Sequence, residues 1–117
     1  MEGNTLEATV SPHNALAMGF DNERDYITYL LESAAEKNGL NEKRFKQLCF
    51  CESTLHHYND DGTLNCGDNG VSCGLFQFQQ PTWDRYCEGN REVMEDQVKC
   101  AAEMIKAGYK YHWSCKY

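Results

Sequence analysis

Glu52 is the residue whose position in this chain most favours chemistry. Phe45, Leu48, Cys49 and Glu52 fall at i, i+3, i+4 and i+7, so a helix over residues 42 to 54 would place a carboxylate on its apolar stripe. Burial disfavours the charged form, which raises the pKa of a Glu above its usual value of about 4.3. Periodicity alone also fits a partly exposed carboxylate at a helix end. A buried Glu52 is predicted to act as a general acid.

A second group of polar side chains follows in Gly74-Leu75-Phe76-Gln77-Phe78-Gln79. Gln77 and Gln79 alternate, so in an extended segment they point the same way, while Phe76 and Phe78 point into a core. Amide groups offer donors and acceptors suited to hydroxyl-rich ligands, and Gly74 allows a backbone to approach closely. This segment is therefore predicted to bind a sugar.

Other side chains offer weaker chemistry. The tail alternates aromatic residues, and Tyr109 and Tyr111 could form a wall on which sugars stack or could cap the core. Three aspartates in a Gly- and Asn-rich loop could supply a second carboxylate, but each is also typical of a turn: Asp60, Asp61 and Asp68.

Metal binding is the rival chemistry for the same region. Cys49, Cys51, His56, His57, Cys66 and Cys73 are all possible zinc ligands. Their spacings are not those of a zinc knuckle, and the Asp- and Asn-rich loop lacks the acidic ligands of a calcium-binding EF-hand. Neither a metal nor another cofactor is predicted.

The elements that must position these residues are mainly helices. Helices are predicted from a cap at Asp21 or Asn22 to Asn38, from a cap at Asn41 to about Ser53, from Gln80 to Cys87, and from a cap at Asn90 to Gly108. The last helix should carry on one face Met94, Gln97, Val98, Ala101 and Ile105. The turn-rich stretch over 55 to 73 could form a small hairpin. The fold class is mainly α, or α+β at most.

Length and composition limit the function further. The 117 residues fit one domain over 21 to 117, preceded by an N-terminal arm over residues 1 to 20. A net charge of -7 argues against nucleic acid as a partner. No apolar run approaches the length of a membrane span, and residues 1 to 20 lack the pattern of a signal peptide. Seven cysteines favour an oxidising compartment and a disulfide-supported fold.

Two motifs together resemble a known superfamily. Glu52-Ser53, followed by Gly74-Leu75-Phe76-Gln77-Phe78-Gln79-x-Pro81-Thr82-Trp83, resembles the lysozyme-like, soluble lytic transglycosylase superfamily of peptidoglycan-cleaving domains. Cys51-Glu52 and the ending Trp113-Ser114-Cys115 are similar to its small secreted members, including the resuscitation-promoting-factor type. The resemblance covers residues 40 to 115. The chain lacks the superfamily's Ala-Tyr-Asn-Ala-Gly motif, for which Gly108-Tyr109 is a partial substitute.

The resemblance implies a lysozyme-like domain with a hairpin or loop beside a cleft. Glu52 would protonate the glycosidic oxygen of the MurNAc-GlcNAc linkage, with Gln77 in the cleft and Ser53 supporting it. In lytic transglycosylases a single Glu acts as acid and then base, whereas a muramidase would need a second carboxylate. The absence of a convincing second acid favours the transglycosylase. A glycan-binding domain that does not cut, or a structural module of an envelope or virion assembly, are the alternatives.

The resemblance also implies a disulfide between Cys51 and Cys115, a pairing that spacing alone leaves open. Cys66 with Cys73, and Cys87 with Cys100, are then reasonable local bridges, which leaves Cys49 free and buried. Such a domain is expected outside the cell, in the periplasm or at the cell wall.

Overall fold

The structure is a computed structural model that describes residues 19–117. The predicted arm over residues 1 to 20 therefore falls almost entirely outside the described residues. Residues 19–117 form four α-helices, three two-residue strands and one 3-10 turn, in this order: α1 Glu23–Asn38, α2 Glu42–Ser53, β1 Cys66–Gly67, β2 Ser72–Cys73, β3 Phe78–Gln79, α3 Gln80–Tyr86, α4 Met94–Lys106 and the turn Lys110–His112. The prediction of a mainly α fold is confirmed.

The first two helices begin and end where local chemistry predicts. Asn22 accepts a hydrogen bond from the Asp25 N–H at 2.8 Å, which caps α1, and Gly39 ends α1 in the left-handed conformation. Asn41 caps α2 by accepting from the Arg44 N–H at 2.9 Å. These caps fix the direction in which α2 carries Glu52.

The predicted cap of the last helix is wrong. Helix α4 begins at Met94 with Val93 as its N-cap residue, rather than after Asn90. The Asn90 side chain instead accepts from the Glu92 N–H at 2.8 Å, and the Asn90 N–H donates to Asp96 at 2.9 Å. Asn90 therefore closes a turn before the helix. Helix α3 ends at Tyr86, one residue earlier than predicted.

The strands form one small antiparallel sheet in the order β1-β2-β3. Strands β1 and β2 are the predicted hairpin, with Cys66 opposite Cys73. Strand β3 pairs with β2, with Phe78 opposite Cys73, and was not predicted as part of a sheet. The sheet consequently brings the turn between β1 and β2 beside the segment that follows Gly74.

The core lies between α1, α2 and α4 on one side and the segment around β3 on the other. The Phe45 ring of α2 stacks on Phe76 at 5.2 Å between centroids, and Phe76 contacts Trp113 at 6.1 Å. Phe76 and Phe78 are both fully buried, as predicted. The five residues expected on the inner face of α4 are also buried. Aromatic packing thus fixes the C-terminal segment against the core.

Three disulfides cross-link the domain. Cys51 is bonded to Cys115, Cys66 to Cys73 and Cys87 to Cys100, which are the expected pairs, while Cys49 is free and buried. Three disulfides in a chain of this size are typical of a protein that matures in an oxidising compartment. Of the helices within residues 19–117, none is both long and apolar enough to cross a membrane.

Candidate active site

A groove of about 390 Å³ opens beside the end of α2. Its walls come from four parts of the chain: the end of α2, the β1–β2 hairpin, the segment from Gln77 into α3, and the C-terminal tail. The lining residues are Glu52, Gly67, Asp68, Ser72, Gln77, Gln79, Thr82, His112, Trp113 and Ser114. They include the carboxylate of Glu52 and the amides of Gln77 and Gln79, which are the groups that the sequence analysis predicted to be functional.

Glu52 is the penultimate residue of α2 and is half-buried, whereas Phe45, Leu48 and Cys49 on the same stripe are fully buried. Its Oε2 is buried and has no hydrogen-bond partner within residues 19–117. Burial raises the pKa of Glu52, the Cys115 backbone N–H opposes that rise, and the negative charge of Asp68 adds to it. The carboxyl group is therefore biased towards its protonated form, as an acid catalyst requires.

The position of Glu52 is fixed from both sides along the chain. Cys51, its neighbour, is bonded to Cys115, so the disulfide joins the end of α2 to the tail that lines the groove. After Ser53 the helix stops, because Thr54 and Leu55 adopt left-handed conformations with φ of 52° and 62°. The carboxylate consequently lies where α2 ends, next to a disulfide-bonded residue, rather than on a continuing helix.

Gln77 lines the groove, but its amide is engaged by the backbone around it. Its Oε1 accepts from the Gly67 N–H at 3.2 Å, and its Nε2 donates to the carbonyl oxygens of Gly74 at 2.9 Å and Asn65 at 3.2 Å. These bonds tie the hairpin to the segment that follows it. The expected extended run over 76 to 79 is interrupted, because Gln77 has a φ of 51° and only Phe78–Gln79 form a strand. Gln79 is exposed in the groove.

Gln97 supports the same segment from beneath, a role that the sequence did not reveal. This fully buried side chain accepts from the Phe76 N–H at 2.9 Å and donates to the carbonyl oxygens of Cys73 at 2.9 Å and Arg91 at 2.8 Å. A Cβ on Gly74 would lie 2.2 Å from Gln97 Nε2, and Gly74 has a φ of +86°. The group that approaches Gly74 closely is therefore the Gln97 side chain, rather than the backbone that the sequence led us to expect. The one sequence feature that could have indicated this role is the presence of a glutamine on the apolar face of α4.

His57 is the second buried support that the sequence did not reveal. Its Nδ1 accepts from the Leu75 N–H at 3.1 Å, so Nε2 carries the proton and donates to the Glu92 carbonyl oxygen at 2.6 Å. Burial lowers the pKa of His57 to about 4. Both ring nitrogens are thus occupied, and the neutral imidazole joins the start of the Gln77 segment to the loop before α4.

Most of the residues considered as zinc ligands have other bonding partners in the structure. Cys51, Cys66 and Cys73 form disulfides, and the His57 nitrogens bond to the backbone. Within residues 19–117, no three His, Cys, Asp or Glu side chains are grouped so that they could hold a metal ion.

Three of the predicted substrate-binding residues lie away from the groove. Ser53 is buried, donates to the Cys49 carbonyl oxygen at 3.2 Å and lines a separate pocket with His56. Tyr109 packs against Tyr86 at 5.1 Å between ring centroids. Tyr111 is 84% exposed and lines a second, neighbouring pocket. The tail reaches the groove through His112, Trp113 and Ser114 instead.

Of the three aspartates weighed as a second carboxylate, Asp68 alone lines the groove. It has a φ of 51° in the turn between β1 and β2, and its Oδ2 accepts from the Ser72 hydroxyl at 2.8 Å. Asp61 instead accepts from the Thr63 N–H and hydroxyl, which makes it a turn residue. Asp60 lines the pocket that contains Ser53.

Comparison with known proteins gives no match to a family model, a curated protein or a solved structure.

Proposed function

We propose that this protein cleaves the glycan strands of peptidoglycan at the MurNAc-GlcNAc linkage, as a lytic transglycosylase acting outside the cytoplasm. One observation carries the proposal: the buried, unpartnered Oε2 of Glu52 belongs to a carboxyl group that lines a groove of about 390 Å³. A general acid needs a raised pKa and access to the leaving oxygen. The groove lining is largely polar, which suits a hydroxyl-rich ligand.

Glu52 would act twice in the reaction. Protonated Glu52 donates its proton to the glycosidic oxygen as the bond to the muramic acid C1 breaks, leaving an oxocarbenium-like centre. The resulting carboxylate then removes the proton from the muramic acid's own hydroxyl as that oxygen bonds to C1. The products are a strand with a new GlcNAc hydroxyl and an anhydro-muramic end, and Glu52 is again protonated. No cofactor takes part in these steps.

Asp68 favours a second candidate, a muramidase that acts on the same bond. Its carboxylate lines the same groove as Glu52 and contributes to the raised pKa of Glu52. In an inverting hydrolase a second carboxylate activates a water molecule on the opposite face of the sugar. Water, rather than the sugar's own hydroxyl, would then bond to C1.

Mass spectrometry of the muropeptides released from purified peptidoglycan separates these reactions. We expect anhydro ends from the wild type and from Asp68→Asn, because the transglycosylase route uses Glu52 alone. Reducing ends, lost in Asp68→Asn, would establish the muramidase. Protein that pellets with intact peptidoglycan and releases nothing would instead be a glycan-binding module.

A further inference from the structure

A second pocket of about 230 Å³ adjoins the groove, and we call it the basic pocket. The two cavities share Trp113 and Ser114, so a single ligand could reach from one to the other. The pocket is lined by Arg44, Lys110, Tyr111, Trp113, Ser114, Cys115, Lys116 and Tyr117. Three of these residues have cationic side chains and none has an acidic side chain.

This charge contrasts with the chain as a whole, where 18 acidic residues outnumber 11 basic ones. Ion pairs within residues 19–117 join Lys46 to Glu32 and Lys99 to Glu103, and none of them involves a cation of the basic pocket. Within those residues, none of the three cations is paired with a carboxylate side chain. Local positive charge in a cleft raises the concentration of an anionic ligand there.

Aromatic rings orient two of the cations. The Arg44 guanidinium lies 4.8 Å from the centre of the Tyr117 ring and donates to the Tyr117 carbonyl oxygen at 2.8 Å. Tyr117 is itself held, because its hydroxyl accepts from the Asn41 N–H at 2.8 Å. The Lys110 ammonium lies 5.2 Å from the centre of the Tyr111 ring. Contacts of this kind restrict the side chains before a ligand binds, so less side-chain entropy is lost on binding.

We propose that the basic pocket binds a carboxylate of the peptide that a muramic acid residue carries. The inference rests on the proposed function, which places a muramic acid in the groove that shares a wall with this pocket. Charge-assisted hydrogen bonds from Arg and Lys are the usual means of holding a carboxylate. The pocket thereby gives an acidic protein a local attraction for an anionic cell-wall substrate.

The test uses a ligand that cannot be cleaved, so binding is measured independently of catalysis. N-acetylmuramyl-L-alanyl-D-glutamate contains one sugar and no linkage to break. It is titrated into the protein by NMR, with the ring signals of Tyr111, Trp113 and Tyr117 as reporters. Lys110→Gln/Lys116→Gln removes two pocket charges and leaves the hydrogen bond from Arg44 to Tyr117 in place. Lys99→Gln/Lys106→Gln makes the same charge change on α4, away from both cavities.

We expect the Lys110→Gln/Lys116→Gln variant to bind the probe about tenfold more weakly, equivalent to ~1.4 kcal/mol, while Lys99→Gln/Lys106→Gln binds normally. Amidation of the probe's carboxylates should weaken binding to the wild type similarly. In cleavage assays the pocket variant should raise KM for peptide-bearing strands and leave kcat unchanged. Its KM for strands stripped of peptide should not change.

Equal binding of the amidated and acidic probes, or equal loss in both double variants, would overturn the inference. Preference for glycerol phosphate over the muramyl peptide would assign the pocket to phosphodiester polymers and would also overturn it. Cleavage of glycan without probe binding would leave the proposed function standing and remove only the inference. Binding of the probe at Tyr111 and Tyr117 without cleavage of glycan would remove the proposed function and leave the basic pocket as a binding site for the muramyl peptide.

Discussion

Removal of the disulfides one at a time should destabilise the domain in a fixed order. The bridges enclose sequence separations of 64 residues for Cys51–Cys115, 13 for Cys87–Cys100 and 7 for Cys66–Cys73. Loop-closure entropy in the unfolded chain then gives about 4.3, 2.9 and 2.4 kcal/mol respectively at 25 °C. The bridge beside Glu52 is therefore expected to contribute the most to the free energy of unfolding.

Each pair is replaced by alanines, which leaves no unpaired thiol except the buried Cys49. The free energy of unfolding is measured by guanidinium titration under non-reducing conditions, with circular dichroism as the probe. We expect Cys51→Ala/Cys115→Ala to have the lowest free energy of unfolding of the three variants. Its value should lie about 1.4 kcal/mol below that of Cys87→Ala/Cys100→Ala. Equal losses in all three variants, or the largest loss for the seven-residue loop, would refute the chain-entropy reasoning.

Three further predictions concern the buried supports of the groove. Gln97→Leu leaves three buried backbone groups without partners and should lower the free energy of unfolding by at least about 3 kcal/mol; a loss below 1 kcal/mol in a denaturant titration would contradict this. Gly74→Ala should cost more than about 2 kcal/mol, because its Cβ would overlap Gln97 and its backbone is left-handed; a wild-type melting curve would refute the close approach. His57 has a folded pKa of about 4, below its unfolded value of about 6.5, so its contribution is present above pH 6.5 and is lost as the pH falls towards 4. The stability difference between wild type and His57→Gln should therefore shrink by about 3 kcal/mol from pH 7 to pH 4, and a difference independent of pH would exclude a neutral buried His57.

Features set by nearby residues were predictable from the sequence. Asn22, Gly39 and Asn41 cap or end helices through bonds within a few residues, and the structure has them in those roles. The spacing of Glu52 from Phe45 and Leu48 likewise placed its carboxyl group at the edge of the core. Local hydrogen bonds and helix periodicity act over one or two turns, so a single sequence contains the information.

Features set by distant partners were not predictable. Asn90 looked like a cap, but Asp96 binds its N–H and its own side chain closes a turn. The left-handed backbone of Gln77 accompanies bonds to Gly67 and Gly74, which depend on the hairpin. For the same reason the partners of Gln97 and His57 could not be read from their positions in the sequence.

The tail shows a third kind of difference. Alternation of aromatic residues predicted that Tyr109 and Tyr111 share a surface, but the 3-10 turn over Lys110–His112 interrupts that alternation. Tyr111 is therefore turned towards the basic pocket, and Trp113 occupies the groove wall. A period of two holds only where the backbone is extended.

The central claim is that Glu52 is the acid, and the rate of muropeptide release by Glu52→Gln tests it most directly. Glu36→Gln, on an exposed position of α1, is the matched control, and the unfolding midpoint of each variant confirms that it is folded. Loss of a general acid predicts a rate lower by about 10² to 10⁴ for Glu52→Gln, with Glu36→Gln unchanged. Release of muropeptides by folded Glu52→Gln at the wild-type rate would contradict the claim.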